Sequence, residues 1–315
     1  MGRFLLRRGA LLFATLFVSS IVIYAAMYLA PGDPIAVLTG GRQITPEARA
    51  ILTERYRLDD PLPVRYWHWL TSALQGDLGY SIGTRQDVST LIAERTPTTI
   101  SLVVYTSLII VIVGVGIGVL SALKPGWVDT SALLATTLLA AIPSFVAALA
   151  LISVFAVQLQ WFPALGEGTG FVGQLEHLTL PAIALACSSL ALVARITRTS
   201  VRAESKREHV QTAISRGLPP AIVLRRHILR NAAIPVTTVT GLTIASLIVL
   251  VSIVEQAFNL NGLGSSLVTA AQNRDFAVVQ AISLLMVVAF VIVNSIVDLL
   301  YAVLDPRVSL GTAAA

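Results

Sequence analysis

RITRTSVRAESKREHVQTAISRGLPPAIVLRRHILR, residues 195–230, is the stretch that decides the fold. It carries nine basic residues: Arg195, Arg198, Arg202, Lys206, Arg207, Arg216, Arg225, Arg226 and Arg230. Only Glu204 and Glu208 oppose them. Apolar runs of membrane-spanning length lie on both sides. One charge at the bilayer centre costs about 2.5–3.5 kcal/mol on insertion scales, so nine would cost more than roughly 20. The stretch therefore cannot span a bilayer. The positive-inside rule assigns it to the cytoplasm, and its length leaves room for something to dock.

Composition supports that reading. The chain has 315 residues, of which 55% are hydrophobic and 12% charged, with a mean hydropathy of +0.80. A soluble domain carries about 25% charged residues. Half that value, with long apolar runs, places the chain in the polytopic membrane class. The net charge of +5 comes from basic residues beside apolar spans, so it speaks for membrane topology and against nucleic-acid binding. The one cysteine, Cys187, lies in an apolar run and cannot form an intrachain disulfide. Arg3, Arg7 and Arg8 precede an apolar run from residue 9 to 30 that is too long for a signal-peptide core and lacks an A-x-A-like end. An uncleaved first span, entering from the cytoplasm, is expected.

Six spans are predicted, with both termini cytoplasmic. Span 1, about 9–29, ends at Pro31-Gly32-Asp33-Pro34. Residues 31–96 form an extracytoplasmic segment. Thr45-Pro46-Glu47 starts a short helix, and a second, from about 63 to 75, carries Tyr66, Trp67 and Trp69. Those aromatics suit a membrane interface or a contact with a binding protein. Span 2 is expected to begin with Thr96 as cap and Pro97 at its first position, and to end at Lys124-Pro125-Gly126. It holds a small-xxx-small pair, Gly114 and Gly118, which permits close helix approach. Span 3, about 130–158, should kink at Pro143. Glu167 and Glu176 in the next loop read as solvated acids, and His177 as a lone histidine needing no metal. Spans 4, 5 and 6 are expected at about 179–196, 234–255 and 277–304, with Asp305-Pro306-Arg307 and a short tail, 308–315, after them.

No enzymatic constellation stands out. The chain has no G-x-x-x-x-G-K-[ST], C-x-x-C, H-E-x-x-H or G-x-S-x-G. Spans 2 to 4 carry no ionisable group in their centres, so no proton relay suggests itself, and Glu255 and Asp298 fall near span ends. A transporter built this way must take its energy from elsewhere; the rival class, an ion-driven secondary transporter, needs mid-span acids or a broken-helix repeat. Residues 202–218 are predominantly helix-forming, with Gly217-Leu218-Pro219-Pro220 as the stop. Val210, Ala213, Ile214 and Gly217 form one small apolar stripe. Such a helix fits a groove in a partner or rests on anionic lipid.

At this point the residues carry a resemblance. EHVQTAISRGLPPAIVLRRHILRNAAIPVTTV resembles the EAA loop of ABC-transporter permeases, in the version of the dipeptide/oligopeptide/nickel permease family. Further matches run along the chain: Pro31-Gly32-Asp33-Pro34, Leu58-Asp59 with Pro61, Gly76-Asp77-Leu78-Gly79 with Ser81, Glu255 with Phe258, Gly262-Leu263-Gly264, Asn273-Arg274-Asp275 and Val297-Asp298-Leu299-Leu300-Tyr301. The resemblance implies an all-α polytopic membrane protein with six transmembrane helices, an extracytoplasmic insertion between helices 1 and 2, and a cytoplasmic coupling helix between helices 4 and 5. It implies a core over 97–307 with a coupling loop at 197–233. It also implies a peptide importer subunit of the bacterial inner membrane, with nickel or another small solute as the rival cargo. The implied partners are a second homologous permease subunit, two cytoplasmic ATPase subunits or domains, an extracytoplasmic substrate-binding protein and membrane lipid. No cofactor is implied in this chain; ATP and Mg belong to the ATPases. The coupling loop maps to Glu208, Gln211, Thr212, Ala213, Gly217 and Leu218, and the extracytoplasmic loop to Glu255, Gly262, Gly264, Arg274 and Asp275. Two departures stand out. The glutamate of the general EAA motif is absent, as it often is in this family, with Gln211 in the neighbouring position. The family's usual proline before Gly262 is Asn261, which is expected to loosen that loop.

Overall fold

A computed structural model of the chain describes residues 2–29, 35, 45–55, 57 and 59–304. The expectations for Pro31-Gly32-Asp33-Pro34, Leu58, Asp305-Pro306-Arg307 and the tail lie outside those residues, as does the side chain of Asp298. In chain order the described elements are α1 (Gly2–Leu29), α2 (Pro46–Arg55), α3 (Leu62–Leu74), β1 (Tyr80–Ser81), β2 (Gln86–Asp87), α4 (Val88–Leu123), α5 (Trp127–Ala141), α6 (Ser144–Gln158), α7 (Gly170–Ser205), α8 (Glu208–Ser215), α9 (Pro220–Ala257), α10 (Leu263–Gln272) and α11 (Phe276–Leu304). Among the described residues, five helices are long and apolar enough to cross a membrane: α1, α4, α7, α9 and α11. The bent pair of α5 and α6 makes a sixth if it is one span.

The helices outrun the boundaries read from the sequence, and proline is the reason. Pro97, Pro181 and Pro235 lie inside α4, α7 and α9 rather than opening them. A proline forfeits one helical hydrogen bond, a loss that neighbouring helices and hydroxyl side chains make good in membrane proteins. Thr96 accordingly does not cap a helix; its hydroxyl donates to the Ile92 carbonyl, 2.6 Å away. Pro143 does more than kink its span. Ile142 before it is extended (φ −87°, ψ 117°), as residues preceding proline prefer, and α5 and α6 meet at 101°.

The described residues form two compact units: those of 98–261 with 289–304, and those of 2–97 with 262–288. In the first, α7 is the most buried of the long helices. Leu180, Ala182, Leu185, Ala186 and Val193 pack with Leu102 and Ile110 of α4, Ala147 and Ala148 of α6, and Leu247, Val251 and Val254 of α9. The alanines let backbones approach where hydrophobic burial supplies no drive within a bilayer. Gly118 is the tightest point of α4 on α7: an added Cβ would sit 2.5 Å from Thr197 Cβ and 2.6 Å from the Ala194 carbonyl oxygen. The second unit has an aromatic cluster. Tyr24 of α1 lies 5.5 Å, centroid to centroid, from both Tyr66 and Trp69 of α3, and the Ser20 and Tyr66 hydroxyls are 2.8 Å apart. Two of the three α3 aromatics thus pack on α1, while Trp67 is exposed.

Candidate functional site

The basic stretch is three elements, not one helix and a loop. α7 continues to Ser205, Lys206 and Arg207 turn the chain, and α8 occupies Glu208–Ser215. The single helix expected over 202–218 is therefore broken in two. The extended backbone of Arg207 (φ −67°, ψ 145°) starts the new helix, and the Arg207 carbonyl accepts the Val210 and Gln211 N–H groups. The end of α8 is set by local chemistry. Gly217 adopts φ +73°, a left-handed conformation that glycine takes without penalty. Its N–H donates to the Ile214 carbonyl and the Leu218 N–H to the Ala213 carbonyl, which together make a Schellman cap. Pro219 and Pro220 follow, and α9 starts at once, fourteen residues before the expected Ile234.

α8 is amphipathic in a way that sorts the expected site residues. Val210 and Ala213 are buried against Val201 of α7 and Val223, Ile228 and Ala232 of α9, with Val119 and Ala122 of α4 beside them. Ala213 thus belongs to the floor beneath the helix and does not face outward with Gly217. Glu208, Gln211, Thr212, Gly217 and Leu218 are exposed, as is Ile214 at 54%. A polar cluster fixes the helix from its side. Asn231 Nδ2 donates to Glu204 Oε1 (3.0 Å) and to the His227 carbonyl (3.0 Å). His209 Nε2 lies 3.2 Å from both Glu204 Oε1 and Asn231 Nδ2. One residue each from the end of α7 and the start of α8 is therefore tied to Asn231, in the fourth turn of α9.

A second polar centre escaped the sequence reading. Asp129, in the first turn of α5 and only 8% exposed, accepts four hydrogen bonds. Arg198 grips it with two donors, Nε to Oδ1 (2.5 Å) and Nη2 to Oδ2 (2.8 Å). Arg202 Nη2 donates to Oδ2 (2.8 Å) and also to the Ser121 carbonyl (3.2 Å). The Ser121 hydroxyl donates to Oδ1 (2.5 Å). The signal for it was an acid at the start of an apolar span, which needs a partner, and two arginines four residues apart on the next long helix.

The residues expected at the other loop fall in different units. Glu255, near the end of α9, is fully buried and receives the Thr99 hydroxyl at 2.6 Å. Just beyond it, the loop before α7 is bonded to the chain that follows α9. Glu167 is not a free surface acid: its Oε1 accepts the Asn261 N–H at 2.6 Å. The Gly166 N–H donates to the Phe258 carbonyl, and Gly166 O lies 3.0 Å from His177 Nδ1. The loop expected to be loosened by Asn261 is instead stitched down, by an N–H that a proline would lack. In the second unit Gly262 and Gly264 are buried at the start of α10, and Arg274 is exposed with φ +56°. Asp275 is 5% exposed; its Oδ2 accepts the Ser81 hydroxyl (2.6 Å) and the Gly83 N–H (3.0 Å).

The first unit also holds a cavity of ≈580 Å³ between α4, α7, α9 and α11. Its wall is mainly aliphatic, with the Thr197 and Thr240 hydroxyls buried in it and without hydrogen-bond partners among the described residues.

A bundle of long apolar helices, with a short capped helix held between two of them, defines the class: an integral-membrane protein of several spans. The chain belongs to the family described as binding-protein-dependent transport system inner membrane component, whose model matches residues 114–310. The companion N-terminal model matches residues 1–103. The chain is therefore a permease subunit of an ABC importer, an inner-membrane multi-pass protein. It is 36% identical over 312 residues to a probable peptide ABC transporter permease of Sinorhizobium fredii, covering 98% of this chain and 99% of that one. It is 35% identical over 309 residues to the glutathione transport system permease GsiC of Pectobacterium atrosepticum, with the same coverage. In fold it matches a chain of the inward-facing MetNI methionine ABC transporter, with a TM-score of 0.57 at 16% identity, over 68% of this chain and 96% of that one.

Proposed function

We infer that the cargo is a peptide and that α8 is the helix through which ATP hydrolysis drives its passage. The observation that carries the cargo is the end-to-end similarity to permeases named for peptides and for glutathione, itself a tripeptide. In this reading the chain pairs with a second homologous permease, two cytoplasmic ATPase subunits or domains hold ATP and Mg, and an extracytoplasmic binding protein delivers the peptide. Both termini and α8 face the cytoplasm, as the arginines around it favour. The exposed face of Glu208, Gln211, Thr212, Ile214 and Leu218 sits in an ATPase groove. Closure of the ATPases carries α8 with it, and because α8 is fixed to α7 and α9 the long helices follow, opening the pathway to the other side. Hydrolysis resets it.

Gly217→Trp tests the seat. No atom of the described residues lies within 4 Å of a Cβ added there, so a side chain starts in open space beside the exposed face of α8. The left-handed backbone adds a strain of about 1–2 kcal/mol, which Gly217→Ala shares and so controls for. In the purified complex, Gly217→Trp is expected to lose ATPase assembly or peptide-stimulated hydrolysis while Gly217→Ala keeps most of both. Normal uptake with Gly217→Trp removes the coupling role from α8.

A further inference from the structure

We propose that Asp129, gripped by Arg198 and Arg202, is a positioning residue that makes the bent α5–α6 pair move with the coupling end of α7; this rests on the reading of α8 as the point where ATPase motion enters. Arg202 lies three residues before the end of α7, and α8 begins three residues after that end. Displacement of α8 therefore acts first on the last turns of α7. The floor under α8 is apolar and touches α4, α7 and α9, but no α5 residue belongs to it. What ties α5 to α7 at this end is the grip of the Arg198 and Arg202 guanidinium groups on the Asp129 carboxylate. Farther along the same pair of helices, Arg195 Nη2 lies 3.4 Å from the Thr137 hydroxyl, a longer and exposed contact.

The chemistry of the joint suits transmission. The paired donors of Arg198 fix the angle as well as the distance of a carboxylate. Arg202 adds a donor from one helical turn away, and its second bond, to Ser121, brings in the end of α4. All four acceptor sites of Asp129 are filled, so the group cannot swing to another partner without leaving a donor unmet. Rotation of α7 is then delivered to the first turn of α5, and α5 ends at the extended Ile142 and Pro143, the hinge to α6. Packing alone would let α5 slide against α7; a forked ion pair does not.

The test uses the complete transporter, with both permeases, ATPases and binding protein, in liposomes. Three quantities are read: ATPase retained on purification, peptide-stimulated hydrolysis, and peptide carried per ATP. Asp129→Asn keeps the shape and an acceptor but removes the charge. It is expected to retain the ATPase and hydrolysis while peptide carried per ATP falls by about tenfold, within the range of coupling energies between distant sites. Arg198→Lys, which keeps the charge but loses the fork, should fall by less. The exchange of Asp129→Arg with Arg198→Asp should recover part of the loss. An unchanged transport ratio in Asp129→Asn overturns the proposal. If that variant fails to insert, Arg198→Lys decides: uncoupling with the ATPase retained sustains the joint, and an unchanged ratio overturns it. Loss of the ATPase from either variant also overturns it, because the cluster would then be holding the docking site. Gly217→Trp in the same assay separates the two readings. If it keeps the ATPase while Asp129→Asn uncouples, the α8 seat fails and the joint stands. If it loses the ATPase while Asp129→Asn is normal, the joint alone fails.

Discussion

Asp129 and Asp275 occupy similar places and are satisfied in opposite ways. Each is nearly buried, each lies at the start of an apolar helix, and each meets a serine hydroxyl. Asp129 adds two guanidinium groups from another long helix. Asp275 adds one backbone N–H from a nearby turn, and its Oδ1 has no hydrogen-bond partner among the described residues. The contrast separates a joint from a staple. A carboxylate between two cations resists displacement of the helices that carry them. A carboxylate on a hydroxyl and an amide shapes a loop and has little use for its charge.

The largest way to break this comparison touches neither aspartate. Gly118→Val places methyl groups where Thr197 and the Ala194 carbonyl already stand. Thr197 adjoins Arg198, so α7 must move off α4 and the Asp129 joint opens from beneath. Overpacking of this kind costs about 1–3 kcal/mol, occasionally more. A sharp loss of folded protein in a detergent thermal-unfolding assay is expected. Gly116→Ala, which meets no atom within 4 Å, is the control and should unfold as the parent does. Parent-like unfolding of Gly118→Val would show that α4 and α7 do not meet there.

Next in size is Asp275 itself. Asp275→Ala strands the Ser81 hydroxyl and the Gly83 N–H and should cost about 1–3 kcal/mol, the desolvation of unpaired buried donors. Asp275→Asn keeps an acceptor for both and exchanges the unpartnered oxygen for an NH2. It is expected to be near neutral in stability and uptake, the reverse of Asp129→Asn. Equal behaviour of the two asparagine variants would erase the distinction between joint and staple.

How much of this was legible in the sequence depends on distance along the chain. The α8 cap was legible because Gly217-Leu218-Pro219-Pro220 does its work within six residues of Ala213. The starts of α2 and α3 were legible from Pro46 and the Pro61–Pro63 region for the same reason. Pro97, Pro181 and Pro235 misled, since a proline in a first turn and one inside a membrane helix look alike until a neighbour is placed beside them. Asp129 and Arg198 are 69 residues apart, and nothing local pairs them. The apolar stripe of α8 was read with Ile214 on the same side as Val210 and Ala213, but helix periodicity does not say which edge of a stripe the floor covers.

The smallest effect lies at Asn261, where the chain departs from the proline its relatives are expected to carry. Glu167 Oε1 accepts the Asn261 N–H across a separation of 94 residues, so the bond exists because the proline does not. Asn261→Pro deletes the donor and leaves the carboxylate free to turn to water, since the site is exposed. A charge-assisted contact as exposed as this one adds about 1 kcal/mol or less, because solvent competes for both groups. The loop around Gly166 keeps its backbone bond to Phe258 and its histidine contact, and proline stiffens the partner strand of chain. Hydrogen exchange at Glu167 and Gly168 is expected to rise severalfold in Asn261→Pro, with thermal unfolding and uptake close to those of the parent. Glu167→Gln, which keeps an acceptor, should show less exchange than Asn261→Pro. If it shows as much, the charge of Glu167 and not the N–H opposite it holds the loop, and the contrast drawn from Asp275 does not extend to this acid.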